Sequence, residues 1–397
     1  MEPSSVASAG DWKAPRASEP MGRYGRSAVV LATALLAVTA RAEEASCTAW
    51  PEWQAFKRLY LSADGRVIDA STPQSLTVSE GQAYAMTFAL IANDRDGFAH
   101  ILNWTRDNLA GGSLERALPA WKWGRADDGK WMVLDRNSAS DADLWMAYAL
   151  TEAGGLWHDT EYTHLGQAMS QSILREEVGL VPGLGATVLP GPKGFVVEGS
   201  WRLSASYVPL QLLRALQRGG DSSLWSSALD SSYRVIVGSS PRGFAADWVR
   251  YRQGEGFSTD PVSHGVGSYN AIRVYLWVGM LDEGDPLAAS LARQLRPMAS
   301  AAAEHLPPES IDTDTLESHG QPPVGYLAAV SPLLVRLKLT AAVTTYHKRI
   351  ETESLKDNQH YYSDALTLFG LGWLQGRYRF DRHGDLRVRW SGSCHGG

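Results

Sequence analysis

Between residues 50 and 376, apolar side chains recur at three- and four-residue intervals in about a dozen stretches, each closed off by Gly, Pro, Asp or Asn. The spacing predicts helices over 50–61, 80–94, 96–109, 141–156, 161–177, 204–218, 222–237, 268–281, 285–303, 325–338, 342–350 and 360–376. Strand-like alternation is sparse. Its best examples are "GFVVEGSW" and "RYRFDRHGDLRVRW", the second a hairpin near the C-terminus. No linker, low-complexity tract or heptad seam interrupts the series. The polar and aromatic motifs fall in loops or at helix starts. That arrangement suits an all-α toroid over residues 43–397, in which two rings of helices converge on one face and leave a cleft lined by loop residues. An irregular helical solenoid is the other arrangement the pattern allows.

The N-terminal region reads differently. Residues 1–20 are polar and fold-poor, and read as a mis-called extension. "MGRYGRSAVVLATALLAVTARA", residues 21–42, then has two arginines, an apolar run too short to span a bilayer, and a small-residue cleavage pattern. This is a secretory signal, with Met21 the better start, and it predicts a periplasmic or secreted protein with no membrane insertion once the signal is removed. The two cysteines, Cys47 and Cys394, flank nearly the whole mature chain. In an oxidising compartment they pair in one way, and closing that loop removes about 5 kcal/mol of unfolded-state entropy in the simple chain model.

Composition narrows the function. A formal charge of −6 and the lack of a basic cluster or a Gly-rich phosphate loop argue against nucleic acid and nucleotides. The histidines show no paired metal-ligand spacing, so neither metal nor cofactor is expected. Fifteen Trp and fifteen Tyr are more than a core needs, and flat aromatic faces stack on sugar rings. Six motifs place aromatic and hydrogen-bonding groups together at helix entries. "TVSEGQAYAM" holds Glu80; "NSASDADLW" holds Asp141 and Asp143; "WKWGRADDGKW" holds Trp121, Trp123 and Trp131. "GSWRLSASY" holds Trp201, Arg202 and Tyr207; "GSYNAIR" holds Tyr269, Asn270 and Arg273; "HYYSDA" holds Tyr361 and Tyr362. Taken singly, Glu80 or Asp141 is an acid in the first turn of a helix, capped by Thr77 or Ser79 and by Ser138 or Ser140. Two such starts opening on one mouth would bring their acids together.

These residues resemble glycoside hydrolase family 8, over nearly all of the mature chain. The family's A-[ST]-D-[AG]-D helix start stands here as Ala139-Ser140-Asp141-Ala142-Asp143. The resemblance implies an (α/α)6 barrel that hydrolyses internal bonds of β-1,4-glucan with inversion. It further implies work beside the machinery that synthesises and exports bacterial cellulose. It assigns Glu80 as proton donor and Asp141 as the signature aspartate, a nucleophile or subsite residue. Tyr207, Arg273 and one of Tyr361 or Tyr362 fall on substrate-binding positions; Trp121, Trp123 and Trp201 are expected to bind sugar on the separate ground of their polar loop and helix-entry settings.

One position departs from the pattern. The family's base aspartate lies in "YDAxR", and here that stretch reads Tyr269-Asn270-Ala271-Ile272-Arg273. An amide takes no proton from water, and loss of a general base typically costs about 10²–10⁴ in rate. Three readings stand open: another carboxylate (Asp141, Asp247, Glu255 or Asp260) serves, Asn270 only orients the water, or the cleft is an inactive glucan-binding site. A helical scaffold without sugar chemistry does not explain the aromatic motifs.

The secreted protein is expected to start near Glu43 with Cys47 bonded to Cys394. Intact mass with and without reductant checks both; two alkylatable thiols in the native secreted form contradict the bond.

Overall fold

The computed structural model describes residues 49–392, so the expected leader and extension and both cysteines lie outside the described residues. Thirteen α-helices account for most of the regular structure there. They are α1 (Pro51–Tyr60), α2 (Ser79–Ile91), α3 (Arg95–Asn108), α4 (Ser140–Trp157), α5 (Thr160–Glu176), α6 (Leu210–Leu216) and α7 (Ser222–Ser239). They continue with α8 (Ile272–Met280), α9 (Ala288–Gln294), α10 (Arg296–Glu304), α11 (Val324–Arg336), α12 (Thr340–Glu353) and α13 (Tyr361–Leu374). No helix of the described residues is long and apolar enough to cross a membrane.

Two kinds of helix alternate. In α2 every residue but Glu80 is buried, and α8 is buried throughout. By contrast α1 buries only Trp53, Phe56 and Tyr60, and α12 only Tyr346 and Ile350. A helix apolar on all faces needs neighbours on all sides, whereas one with a single stripe packs by that stripe. The contacts follow. Among the mostly buried helices α2 packs on α4, α4 on α6, α6 on α8, α8 on α11, α11 on α13, and α13 returns to α2. The striped helices sit on these: α1 on α13, α3 on α2, α5 on α4, α7 on α6, α9 on α8, and α10 and α12 on α11.

The closed order of contacts surrounds an aromatic floor. Tyr84, Trp145, Trp277 and Phe369 come from α2, α4, α8 and α13, and each ring centroid lies within 6.4 Å of the other three. Such pairs contribute about 0.5–1.5 kcal/mol each beyond the area they bury.

Two predicted helices divide. The stretch 204–218 becomes a 3-10 turn, Ala205–Tyr207, and then α6, with Pro209 between them. The stretch 285–303 becomes α9 and α10, the second restarting with Pro297 near its N-terminus. The predicted 268–281 helix starts only at Ile272, because Asp247 caps the chain ahead of it (below). Strands are short but more numerous than the two stretches read from sequence, and form five small antiparallel sheets. β1 (Thr77–Val78) leads into α2 and pairs with β2 (Lys122–Arg125), which pairs with β3 (Trp131–Asp135), while β4 (Val178–Val181) pairs with β5 (Gly185–Val188). β6 (Val196–Val197), β7 (Ser200–Leu203), β8 (Val249–Arg252) and β9 (Gly256–Thr259) make the largest sheet. β10 (Val266–Gly267), β11 (Ser310–Asp312) and β12 (Ser318–His319) lie before and after α8–α10. The C-terminal hairpin, β13 (Tyr378–Phe380) with β14 (Leu386–Val388), falls within the predicted stretch.

Helices α11 and α13 approach at a glycine. Pro332 inside α11 has no N–H to give the carbonyl of Ala328 one turn back, and that carbonyl is the atom on which Gly370 of α13 closes. A methyl on Gly370 would collide with backbone that cannot swing aside. Gly370→Ala is therefore expected to destabilise by about 1–3 kcal/mol, although an exposed helix gains up to about 1 kcal/mol from the same change. Urea unfolding reads the sign, and a raised midpoint contradicts the close packing.

Candidate active site

Neither acid-bearing helix is capped as the sequence suggested. The residue preceding α2 is Val78 and that preceding α4 is Ala139, and neither cap position makes a side-chain hydrogen bond. Thr77 instead donates to the carbonyl of Val67 at 2.6 Å, and Ser138 donates to Glu177 at 2.6 Å. The hydroxyls of Ser79 and Ser140 are buried without a partner among the described residues. The N–H of Ser79 is met by the carbonyl of Trp121 at 3.0 Å, which seats β2 across the start of α2. The acids thus stand in first turns whose positive ends are left for them.

One guanidinium collects them. Arg273 of α8 is 1% exposed. Its Nη1 donates to Glu80 Oε2 at 3.0 Å, to Asp141 Oδ2 at 2.6 Å and to the Tyr84 hydroxyl at 3.1 Å. Its Nη2 donates to Asn270 Oδ1 at 2.8 Å and to Ser206 Oγ at 3.3 Å. Burial alone would pull its proton off, but the charge of Glu80 and its other neighbours outweigh that and hold it well above the ordinary arginine value. Asp141 also accepts from the N–H of Ala142 at 2.9 Å.

Glu80 keeps 20% of its side chain exposed. Burial pushes its carboxyl up to about 7; Arg273 opposes, Asp141 adds to the rise, and a hydrogen bond from Tyr84 opposes it again. The group therefore holds a proton through the acidic range and sheds it near neutrality. Behind Asp141, Asp143 is fully buried and faces the equally buried Glu177. Burial and Glu177 push Asp143 far up, and burial pushes Glu177 up to about 8. Both members of this pair are shifted toward their protonated forms, and Glu177 meets the start of α4 through Ser138.

The spacing has a chemical consequence. The oxygens of Glu80 and Asp141 share one nitrogen, so they lie no further apart than two hydrogen bonds end to end. That falls short of the roughly 6.5–9.5 Å between the carboxyls of an inverting glycosidase. Asn270 hangs from the opposite arm of the fork, a guanidinium width further off. The other carboxylates considered as bases are committed elsewhere. Asp247 accepts from Ser268 N at 2.9 Å, Ser268 Oγ at 2.6 Å, Asn270 N at 3.1 Å and Ala271 N at 2.7 Å, capping the approach to α8. Asp260 Oδ2 accepts from Arg202 at 3.2 Å and from the N–H and hydroxyl of Ser263, both at 2.8 Å. Glu255 is exposed and pairs with Arg252 at 3.3 Å.

The aromatic residues separate. The ring of Tyr207 lies beneath Arg273 at 5.5 Å. Tyr362 is half-buried, donates to the carbonyl of Tyr269, and feels the charges of Arg273, Glu80 and Asp141. Tyr361 is 6% exposed and packs on Phe56 and Tyr60, with its hydroxyl pressed on Gly81. Trp123 stacks on Trp131 at 5.2 Å with Arg66 over both rings, while Trp121 is half-buried with Lys122 over it. Trp201 contacts Tyr251 across β7 and β8. Strand alternation sends Arg202 to the other face, over Trp248 at 4.2 Å. Trp248 stacks on Phe195 at 5.8 Å and meets Tyr207 at 5.6 Å, so an aromatic row leads to Arg273. Sequence reasoning missed Trp248, Phe195, Ser206, Glu177 and Tyr84. Only Tyr84 carried a signal, four residues after Glu80 on one helical face. Among the described residues no group of three or more His, Cys, Asp or Glu is placed to hold a metal.

Residues 26–376 match the model for glycosyl hydrolases family 8. An endoglucanase of Salmonella typhi is 45% identical over 363 residues, covering 91% of this chain and 96% of that protein. An endoglucanase of Xanthomonas axonopodis pv. citri is 45% identical over 360 residues, covering 90% and 94%. The crystal structure of an endo-1,4-D-glucanase from Vibrio fischeri ES114 is 44% identical, covers 86% of this chain and 99% of that one, and superposes with a TM-score of 0.84.

The Tyr84 hydrogen bond gives a test of the electrostatics. Removing it leaves the Glu80 carboxylate less favoured, so Tyr84→Phe is expected to move the Glu80 titration upward from about 7. Carboxyl-carbon NMR of glutamate-labelled protein reads this; a downward shift contradicts the hydrogen-bond assignment.

Proposed function

The chain belongs to glycosyl hydrolase family 8 and is a glycoside hydrolase, and from that premise we propose that it cleaves internal β-1,4 bonds of glucan with inversion. Glu80 gives its proton to the departing oxygen. The observation that carries this reading is a carboxyl held protonated up to about pH 7, fixed by Arg273 beside an aromatic row. A general acid must enter the reaction protonated and leave it ionised, and a value near neutrality serves both. The names of the relatives agree with a glucan substrate. Tyr207, Trp248 and Tyr362 supply faces and hydroxyls for glucosyl units, and Asp141 and Arg273 hold the unit at the point of cleavage. Inversion further requires a water on the opposite face of the sugar. Asn270 orients that water without taking its proton, which makes hydrolysis slow.

The reading includes an (α/α)6 toroid, supported by the cycle α2–α4–α6–α8–α11–α13 with its outer partners. It also includes export by the leader at 21–42 and work beside the cellulose synthase export machinery in the periplasm or outside the cell. Those last two rest on the leader sequence and the family resemblance. A second reading, a glucan-binding protein without hydrolysis, is favoured by the amide at position 270.

Mature protein on carboxymethyl-cellulose is expected to release reducing ends over hours, with the α-anomer first by NMR. The rate should fade as pH rises through about 7 and Glu80 ionises. Glu80→Gln should lose it while still binding cello-oligosaccharides. Binding with no reducing ends from the parent selects the second reading; full activity in Glu80→Gln removes Glu80 from its role.

A further inference from the structure

The amide at position 270 has a fixed direction. Its Oδ1 is taken by Arg273 Nη2 at 2.8 Å, so its Nδ2 faces the other way and finds no acceptor among the described residues. A hydrogen-bond donor stands where an inverting hydrolase presents a proton acceptor. The other candidate carboxylates are engaged elsewhere: Asp247 accepts four hydrogen bonds, and Asp260 accepts three on Oδ2 from Arg202 and Ser263. Asp141 is held by Arg273 and by the N–H of Ala142. Water entering this site meets a group that can bind it and cannot deprotonate it. An anion leaving from the same place meets a donor, where a carboxylate would repel it.

We infer that the site has a second activity, the transfer of glucosyl units from an α-configured glucosyl donor with a small anionic leaving group to the 4-hydroxyl of a glucan acceptor. The inference rests on the reading of Glu80 as the proton-transferring carboxyl and of Asn270 as the group on the opposite face of the ring. The donor's C1–leaving-group bond breaks on the Asn270 side, and the anion departs accepting a hydrogen bond from Nδ2. The acceptor's O4 attacks C1 from the Glu80 side, forming a β-1,4 bond. Its proton goes to the Glu80 carboxylate and from there to solvent, so the net products are the longer glucan, the anion and one proton. This is the bond-breaking step run backwards, with Glu80 as base where it otherwise serves as acid. Because Glu80 ionises near neutrality, the carboxylate form is available at mildly alkaline pH. The product then persists, since the water that would cleave it again is poorly activated.

The probe is α-cellobiosyl fluoride with an aryl β-cellobioside acceptor, at a pH just above neutrality, followed by fluoride electrode and chromatography. The parent protein is expected to yield the β-1,4 tetrasaccharide and longer products. Its ratio of transfer to hydrolysis should exceed that of Asn270→Asp by about 10²-fold, the low end of what a positioned base contributes. Glu80→Gln should make no product. If the parent only hydrolyses the fluoride, as fast as Asn270→Asp, another base is at work and the inference fails. If the parent leaves the fluoride intact while Asn270→Asp hydrolyses it, the inference fails and the assignment of position 270 survives. If no variant consumes it, the reading of Glu80 and Asn270 falls, and the inference with it.

Discussion

The buried guanidinium of Arg273 is the interaction on which the site depends. It joins Glu80 and Tyr84 of α2, Asp141 of α4, Ser206 of the 3-10 turn and Asn270 ahead of α8. A cation so deep loses several kcal/mol of hydration, recovered only if its donors find well-placed acceptors. Those acceptors are more than 190 residues away in the chain at one extreme and three at the other. They meet because the buried helices close on the floor of Tyr84, Trp145, Trp277 and Phe369. Core and site are therefore one construction: Tyr84 packs in the floor by its ring and reaches Arg273 with its hydroxyl. Removing either partner of such a pair leaves a buried charge unmatched, typically a loss of about 3–5 kcal/mol.

The amide at position 270 changes the charge balance as well as the proton chemistry. With Asn there, Arg273 faces two carboxyls on one arm and a neutral group on the other. A carboxylate in its place would draw on the same cation and add a negative charge within reach of Glu80. Both effects favour the protonated form of Glu80. The present site thus leaves Glu80 easier to ionise than a site with three acids would. A carboxyl that titrates near neutrality passes protons in either direction, and that property would join the proposed slow hydrolysis to the proposed transfer.

Much of the fold was legible in the sequence. Apolar spacing marked the helices, since long buried helices leave a periodic trace that local chemistry rarely overrides. Boundaries failed where a residue elsewhere intervened: Pro209 cut one helix locally, but Asp247, 23 residues before Asn270, set the start of α8. Most of the small sheets left no trace because strands of two to five residues are too short for a period to register. The acids at helix starts were visible as a pattern, yet their serine caps were not as read. Ser138 serves Glu177 and the hydroxyls of Ser79 and Ser140 find no partner, and nothing local distinguishes those fates. Tyr361 and Tyr362 are adjacent letters with different roles. One helical step of about 100° turns the first into the core and the second toward Arg273. Trp248 was silent because its ring partners, Phe195 and Tyr207, lie 53 and 41 residues before it.

Asp247 and Trp248 show how the site's two halves are tied. They are consecutive, yet the carboxylate of the first gathers the backbone of residues 268, 270 and 271, while the ring of the second joins Arg202, Phe195 and Tyr207. The same segment then becomes β8 and pairs with β7. The aromatic row is therefore one residue away from the carboxylate that sets Asn270 and, three residues on, Arg273. A chain lying on Trp248 and Tyr207 would press on that connection directly. The aromatic row and the groups around Arg273 are in this way covalently adjacent, one peptide bond separating a capping carboxylate from a ring of the row. The link also explains why Asp247 is unsuited to act as a base: its lone pairs already hold the frame in which any base would work.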